Sequence, residues 1–297
     1  MTTVKSTKTK TAVLQFINSR RAKGLSKATV SWYGRMMKLF YGMCPELPTK
    51  ALPIENFMSA LNCSDESRHA YYRTLRAFYY WFYPRHNPAN PMLDIGAPKR
   101  RKKVPYSLSM AEIGYLLAAP LTTRDRALIE LLLDTGVRIG EALGLHKEDV
   151  LDETIMVDGK TGQRQVPISE SVREELLALP GQGYIFTGLK GPLTNSGGYR
   201  IIKMALKRAG IHAKKAGPHT LRHTFGRQYI MAGGDLVSLQ RILGHSDIAT
   251  TRIYAELDLR DITVQHAKFS PLTTLAAAMH RPELKVDVSF VKDRLKN

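Results

Sequence analysis

In LSKATVSWYGRMMKLFYGM, residues 25–43, Val30, Tyr33, Met37 and Phe40 recur at three- and four-residue intervals with Lys27, Arg35 and Lys38 between them. That spacing predicts an amphipathic helix entered through Ser26 as its N-cap. The pattern returns in SRHAYYRTLRAFYYWFYPRH, residues 67–86, where Tyr72, Leu75, Tyr79 and Phe82 share one side and Arg68, Arg73 and Arg76 occupy others. The first ninety residues thus read as helices joined by short loops, their apolar stripes forming a core. Pro84, Pro88, Pro91, Pro98 and Pro105 then interrupt the periodicity, which marks residues 96–106 as a linker between an N-terminal region, 1–95, and a second region beginning at 107. From Ser109 the helical pattern resumes: Ser109 and Glu112 have the spacing of a capping box, and RDRALIELLLDTG is an apolar helix closed by Gly136. TIMVDGKTGQRQVPIS holds two short β-prone runs around a Gly-rich turn, which predicts a hairpin with Lys160 at or beside its tip. Four further helices are expected through SVREELLAL, GYRIIKMALKRAG, HTLRHTFGRQYIMAGG and DLVSLQRILGH. The fold class is therefore mainly α with a small antiparallel β-sheet.

Charge adds a partner to this outline. Of 297 residues, 44 are Lys or Arg and 26 Asp or Glu, a net charge of +18. Residues 1–106 carry 19 bases and 5 acids, a surplus of 14, against 25 and 21 in residues 107–297. A basic surplus of that size fits a polyanion, because neutralising phosphates releases their counterions. The bases interleaved with the apolar stripes, Lys27, Arg35, Lys38, Arg68, Arg73 and Arg76, and the linker run Lys99, Arg100, Arg101, Lys102 and Lys103 are the candidate contacts with a DNA backbone. No apolar run approaches the ~18 residues of a membrane span, and MTTVKSTKTK lacks the apolar stretch of a secretory signal, so a cytoplasmic, DNA-associated protein with no membrane partner is expected. Cys44 and Cys63 have no metal-like spacing and read as reduced.

The side chains suited to phosphoryl transfer stand in a definite order. Arg138 comes after a helix-ending glycine in TGVRIGEALGL, Lys160 lies in GKTGQRQVPI, His219 and Arg222 fall on one helical turn in PHTLRHTF, and LGHSDIATTRIY places His245 nine residues before Tyr254. Guanidinium forks match phosphate oxygens and keep their charge, so such a set can hold a pentacoordinate phosphorus by positioned charge, without a metal or other cofactor. A phenol of pKa near ~10 needs a proton acceptor and a neutralised phosphate before it attacks.

Taken together and in this order, the motifs resemble the tyrosine recombinase or integrase family of site-specific DNA recombinases, strongly from Thr135 onward and as a pattern of helices before it. The resemblance implies an all-helical, SAM-like core-binding domain over 1–95, a catalytic domain over 107–275, and a clamp of the two on duplex DNA. It implies that Arg138, Arg222 and His245 bind the scissile phosphate, that His219 manages the proton of Tyr254, and that Lys160 protonates the departing 5′ oxygen. Tyr254 would form a 3′-phosphotyrosyl link, with Glu141 orienting Arg138 or the hairpin. Recombination through a Holliday junction would then be carried out by a homotetramer on two DNA sites, monomeric or weakly dimeric when free, with an accessory DNA-bending or directionality factor as a further partner. The family's frequent Gly-Lys-Gly is Gly159-Lys160-Thr161 here. The tail, 276–297, alternates charge with apolar residues and is expected to contact a neighbouring protomer.

Three other readings compete. His219 and His223 stand at i, i+4 like a zinc pair, but Thr220, Leu221 and Arg222 lie between them where a zinc protease has its glutamate, so no metal is expected and His223 reads as a packed or hydrogen-bonding helix residue. A non-catalytic DNA-binding regulator needs only the basic helices, and leaves the ordered reactive residues unexplained. A type IB topoisomerase shares the phosphotyrosine chemistry, and would relax supercoils without exchanging partners.

Overall fold

A computed structural model describes residues 8–83, 87, 89–99, 105–159, 162–189, 191–212, 216–245, 251–254, 263, 266 and 270–273. The chain divides into two units, Met1–Lys103 and Val104–Asn297.

In the first unit the apolar periodicity becomes four helices, α1 (Thr9–Ala22), α2 (Lys27–Met43), α3 (Ala51–Ala60) and α4 (Asp65–Phe82), succeeded by a 3-10 turn at Pro91–Leu93. Ser26 and Ser64 cap α2 and α4, their hydroxyls accepting from the Thr29 and Ser67 amides, so each helix starts where an otherwise unpaired N–H finds a side-chain oxygen. Val30, Met37 and Phe40 are buried and Tyr33 is partly so. The core is aromatic: Phe16 meets Phe78 edge-on at 5.5 Å and Phe40 meets Phe57 at 5.1 Å, the arrangement that ring quadrupoles favour. Its buried phenols are satisfied, Tyr72 donating to the Ile95 carbonyl (3.1 Å) and Tyr79 to that of Pro48 (2.9 Å).

The second unit contains α5 (Met110–Ala118), α6 (Thr123–Thr135), α7 (Ile139–Leu143), α8 (Glu170–Ala178), α9 (Asn195–Arg208), α10 (Pro218–Met231) and α11 (Leu236–Leu243). The Ser109–Glu112 capping box opens α5. Gly136 closes α6 with φ of 62°, and a Cβ there would run into the Phe225 ring, so both backbone and packing require glycine. Strands β1 (Thr154–Gly159) and β2 (Gly162–Pro167) form the expected antiparallel hairpin, in register from Thr154↔Pro167 to Gly159↔Gly162. Lys160 and Thr161, between them, lie outside the described residues, as do Arg100–Lys103 and the tail 276–297. A second antiparallel ribbon, β3 (Thr187–Gly188) with β4 (Gly191–Pro192), was not expected, since strands of two residues are too short to show alternation. The core is aliphatic, built from Leu128, Leu132, Leu143, Ile155, Val166, Leu176, Ile202 and Leu221. Helix α10 packs on α6, and Thr224 on α10 accepts the Leu108 amide at 2.8 Å. No described helix is long and apolar enough to cross a membrane.

Candidate active site

The turn after α6 carries Arg138 to the start of α7. Its amide donates to Glu141 Oε2 (2.9 Å) and its Nη1 to Glu141 Oε1 (2.8 Å), while Nη2 lies 3.4 Å from the Gly244 carbonyl. Glu141 is 4% exposed. Burial alone would raise its pKa, but hydrogen bonds from Arg164 on β2 and from the Arg138 amide and side chain outweigh that and hold it at about 2. The carboxylate is thus ionised at any ordinary pH and joins the α7 start to the hairpin.

Arg222, on α10, is also 4% exposed. Its Nη1 donates to the Gly136 carbonyl and its Nη2 to that of Leu243, both at 2.7 Å, and Nη2 also lies 2.8 Å from His245 Nε2. An arginine has only donors, so Nε2 accepts, and the His245 proton sits on Nδ1, which faces Thr251 Oγ1 at 2.8 Å. Burial, then the charge of Arg138, lowers the Arg222 pKa to about 10, so it stays charged at neutral pH. Burial, with Arg222, Arg138 and Arg164 as lesser causes, depresses His245 to about 4, leaving a neutral ring.

Tyr254 closes a 3-10 turn, Arg252–Tyr254, and is buried with Ile230, Leu239 and Leu243. Its ring lies over Gly226 of α10, where a Cβ would meet it at 2.8 Å. Burial raises its pKa, and the charge and hydrogen bond of Arg222, then the charge of Arg138, pull it back down. The phenol is therefore protonated at rest and already exposed to a field that favours phenolate.

Against its hydroxyl stands His223 Nδ1, at 3.0 Å. His219, expected to manage that proton, lies one turn earlier on α10, more exposed, its ring centroid 6.5 Å from that of His223. Residues i and i+4 share a helix face one turn apart, and here it is the less exposed of the two, His223, that adjoins Tyr254. Burial, then Arg222 and Arg138, lowers the His219 pKa; burial, then His219 and Arg222, takes His223 to about 4.

The structure thus gathers Arg138, Glu141, Arg222, His245 and Tyr254 in one network. His219 stands at its edge, and Lys160 lies outside the described residues. The motifs alone did not bring in His223 or Arg164. His223 was legible as Arg222's neighbour on the same helix, whereas Arg164 had no local signal beyond a base next to a Gly-rich turn. Among the described residues no group of three or more His, Cys, Asp and Glu could hold a metal ion, and Cys44 and Cys63 are free thiols.

Among the predicted DNA contacts, Lys27, Arg35 and Lys38 line a groove of about 710 Å³ in the first unit together with Arg21 and Leu25. Arg73, Arg76 and Lys99 are exposed. Arg68 is engaged at home, its Nη2 donating to the Leu61 carbonyl (2.9 Å) and its Nη1 3.8 Å from Asp65.

The sequence profile of the phage integrase family matches residues 107–260, a stretch containing every member of this network. Tyrosine recombinase XerD of Staphylococcus haemolyticus is 30% identical over 279 residues, covering 84% of this chain and 94% of that protein. The chain belongs to the phage integrase family of tyrosine recombinases. Tyrosine recombinase XerC of Thermodesulfovibrio yellowstonii is 29% identical over 297 residues, covering 90% of this chain and 98% of that relative. The crystal structure of XerH site-specific recombinase bound to palindromic difH substrate, in a post-cleavage complex, superposes with a TM-score of 0.68 at 22% identity over 84% of this chain and 82% of that one, a likeness of fold. As a tyrosine recombinase the chain is an enzyme of site-specific DNA recombination.

Proposed function

We propose that this recombinase cleaves and rejoins duplex DNA through a 3′-phosphotyrosyl link to Tyr254 and a Holliday junction, as in DNA integration, excision or dimer resolution. The observation that carries the reading is the single network in which Arg222 touches His245 and the phenol of Tyr254 meets a histidine nitrogen. A scissile phosphate entering beside Arg138 and Arg222 has its charge neutralised by two guanidinium groups, with His245 beside them, its Nε2 on the Arg222 fork. Tyr254 then attacks phosphorus, its proton passing to the histidine pair of α10. The 5′ oxygen leaves with a proton from Lys160, and the phosphodiester energy is kept in the protein–DNA link, so religation needs no ATP or other cofactor.

Double-stranded DNA is the partner, gripped by both units as a clamp, with the basic groove of α1 and α2 on the backbone. The two units correspond to a core-binding and a catalytic domain, and recombination proceeds in a homotetramer on two sites, coupled by the tail 276–297, with an accessory DNA-bending or directionality factor where the system uses one. Tyr254→Phe is expected to keep site binding and lose every covalent adduct on a nicked suicide substrate after denaturation. An adduct persisting in the variant would place the nucleophile elsewhere.

A further inference from the structure

Two arginines share one buried carboxylate in this site, and they are differently placed. Glu141 Oε1 accepts from Arg138 Nη1 (2.8 Å) and Arg164 Nη1 (3.0 Å), and Oε2 accepts from the Arg138 amide (2.9 Å) and Arg164 Nη2 (2.9 Å). All of the carboxylate's acceptor sites are therefore in use. Arg138 keeps 33% of its side chain exposed, whereas Arg164 keeps 14%. The third guanidinium nitrogen of Arg164, Nε, donates to the Ile242 carbonyl at 3.2 Å in the last turn of α11. The guanidinium packs against the residue that ends that helix: Gly244 has φ of +63°, and a Cβ on it would meet Arg164 Nε at 2.7 Å. Each of the three guanidinium nitrogens of Arg164 thus donates to protein, which ties the side chain at three points to Glu141 and the end of α11.

We propose that Arg164 is a positioning residue for the phosphate-binding half of the site. Through Glu141 it fixes the fork of Arg138, and through the end of α11 it fixes the loop that presents His245. The inference rests on the recombinase reading and deepens it. The bidentate geometry is what does this: an ammonium at position 164 supplies one centre of charge, which cannot bridge two carboxylate oxygens and the Ile242 carbonyl at once. Losing it leaves Glu141 held by Arg138 alone and free to draw that arginine inward, away from the phosphate.

The test uses the full chain, a suicide substrate carrying the cognate site, and a second substrate with sulfur in place of the bridging 5′ oxygen. Arg164→Ala is expected to slow adduct formation at saturating protein by between about 10- and 100-fold, the scale of a misplaced catalytic group, with site affinity within about 3-fold. Arg164→Lys should recover little of that loss. Combining Arg164→Ala with Glu141→Ala should be no slower than the slower single variant, as residues acting through one contact are non-additive. The sulfur substrate should rescue Arg164→Ala no better than Arg138→Ala, since the defect lies at the phosphate and not at the leaving group. If Arg164→Ala does not fold, Arg164→Gln, which keeps a donor and the stem, carries the same comparisons. Wild-type cleavage, full rescue by lysine, additive losses in the double variant, or rescue by sulfur equal to that of Lys160→Ala would each overturn the proposal. Absence of any adduct from the unaltered protein would instead overturn the recombinase reading, and Tyr254→Phe run alongside identifies that case.

Discussion

In the first unit the charged side chains stand outside an aromatic core: Lys27, Arg35, Lys38, Arg73 and Arg76 are exposed, while Phe16, Phe40, Phe57 and Phe78 fill the interior. In the second, two ionised groups, Glu141 and Arg222, lie 4% exposed among aliphatic side chains and backbone carbonyls. An exposed base is screened, mobile and individually replaceable; a buried one has lost its water and survives only while its partners are held in place. The first arrangement suits contact with a uniform backbone. The second suits a transition state, whose charge must be met by groups that do not reorganise. Losses in the first unit should therefore be graded and salt-dependent, and losses in the second steep.

The steepest is expected at Arg222. Its fork reaches the Gly136 and Leu243 carbonyls and His245 together, and Arg222→Lys keeps the charge while leaving at least one buried acceptor unpaired. Cleavage should fall by at least ~100-fold, the usual cost of removing a positioned charge-stabilising donor. Rates of adduct formation on the suicide substrate decide it, and a lysine variant within tenfold of wild type would mean that charge alone suffices and that burial confers no precision.

Acid exposes the same contrast through stability. His223 and His245 are held at about 4, burial being the first cause in both, against an ordinary value of 6.5. Their folded-state pKa values are depressed, so the unfolded chain takes up protons first as pH falls. Stability contributed by the neutral rings is full above about 6.5 and is lost progressively toward 4. The melting temperature should drop across that window, and His245→Gln, which keeps hydrogen-bonding capacity without a titrating ring, should flatten the drop. An unchanged pH profile in that variant would remove His245 from the acid-sensitive set.

How much of this was legible in the sequence depends on how local each feature is. The Ser26 cap, the Ser109–Glu112 box and the Gly136 stop each depend on neighbours within one turn, and each stands where the pattern placed it. The order of reactive residues was legible because chain order survives folding. The partnerships were not: Arg164 finds Glu141 across 23 residues and His223 finds Tyr254 across 31. Residue type alone does not say which histidine of HTLRH faces the phenol, since that depends on how α10 is rotated against α6. Arg68 looked like its basic neighbours in sequence, yet it turns back to the Leu61 carbonyl and Asp65, because a base in the first turn of α4 is within reach of the loop before it.

The smallest effect is expected where the charges are exposed. Lys27, Arg35 and Lys38 share the groove between α1 and α2 with Arg21, and of these three only Arg35 makes a described side-chain hydrogen bond, to Ser31 at 3.0 Å. Replacing one by glutamine should weaken DNA binding a few-fold and equally on cognate and unrelated sequence, because a phosphate contact carries no sequence information. The slope of log affinity against log salt should become shallower by about 0.9 for each contact removed, which makes the triple variant the informative one. At saturating protein its cleavage rate should match wild type, since nothing in the buried network has moved. Titrations at several salt concentrations beside single-turnover cleavage separate the two outcomes. A triple variant that binds normally but cleaves slowly would mean that the first unit acts on catalysis itself, and the division between graded outer charge and steep inner charge would not hold.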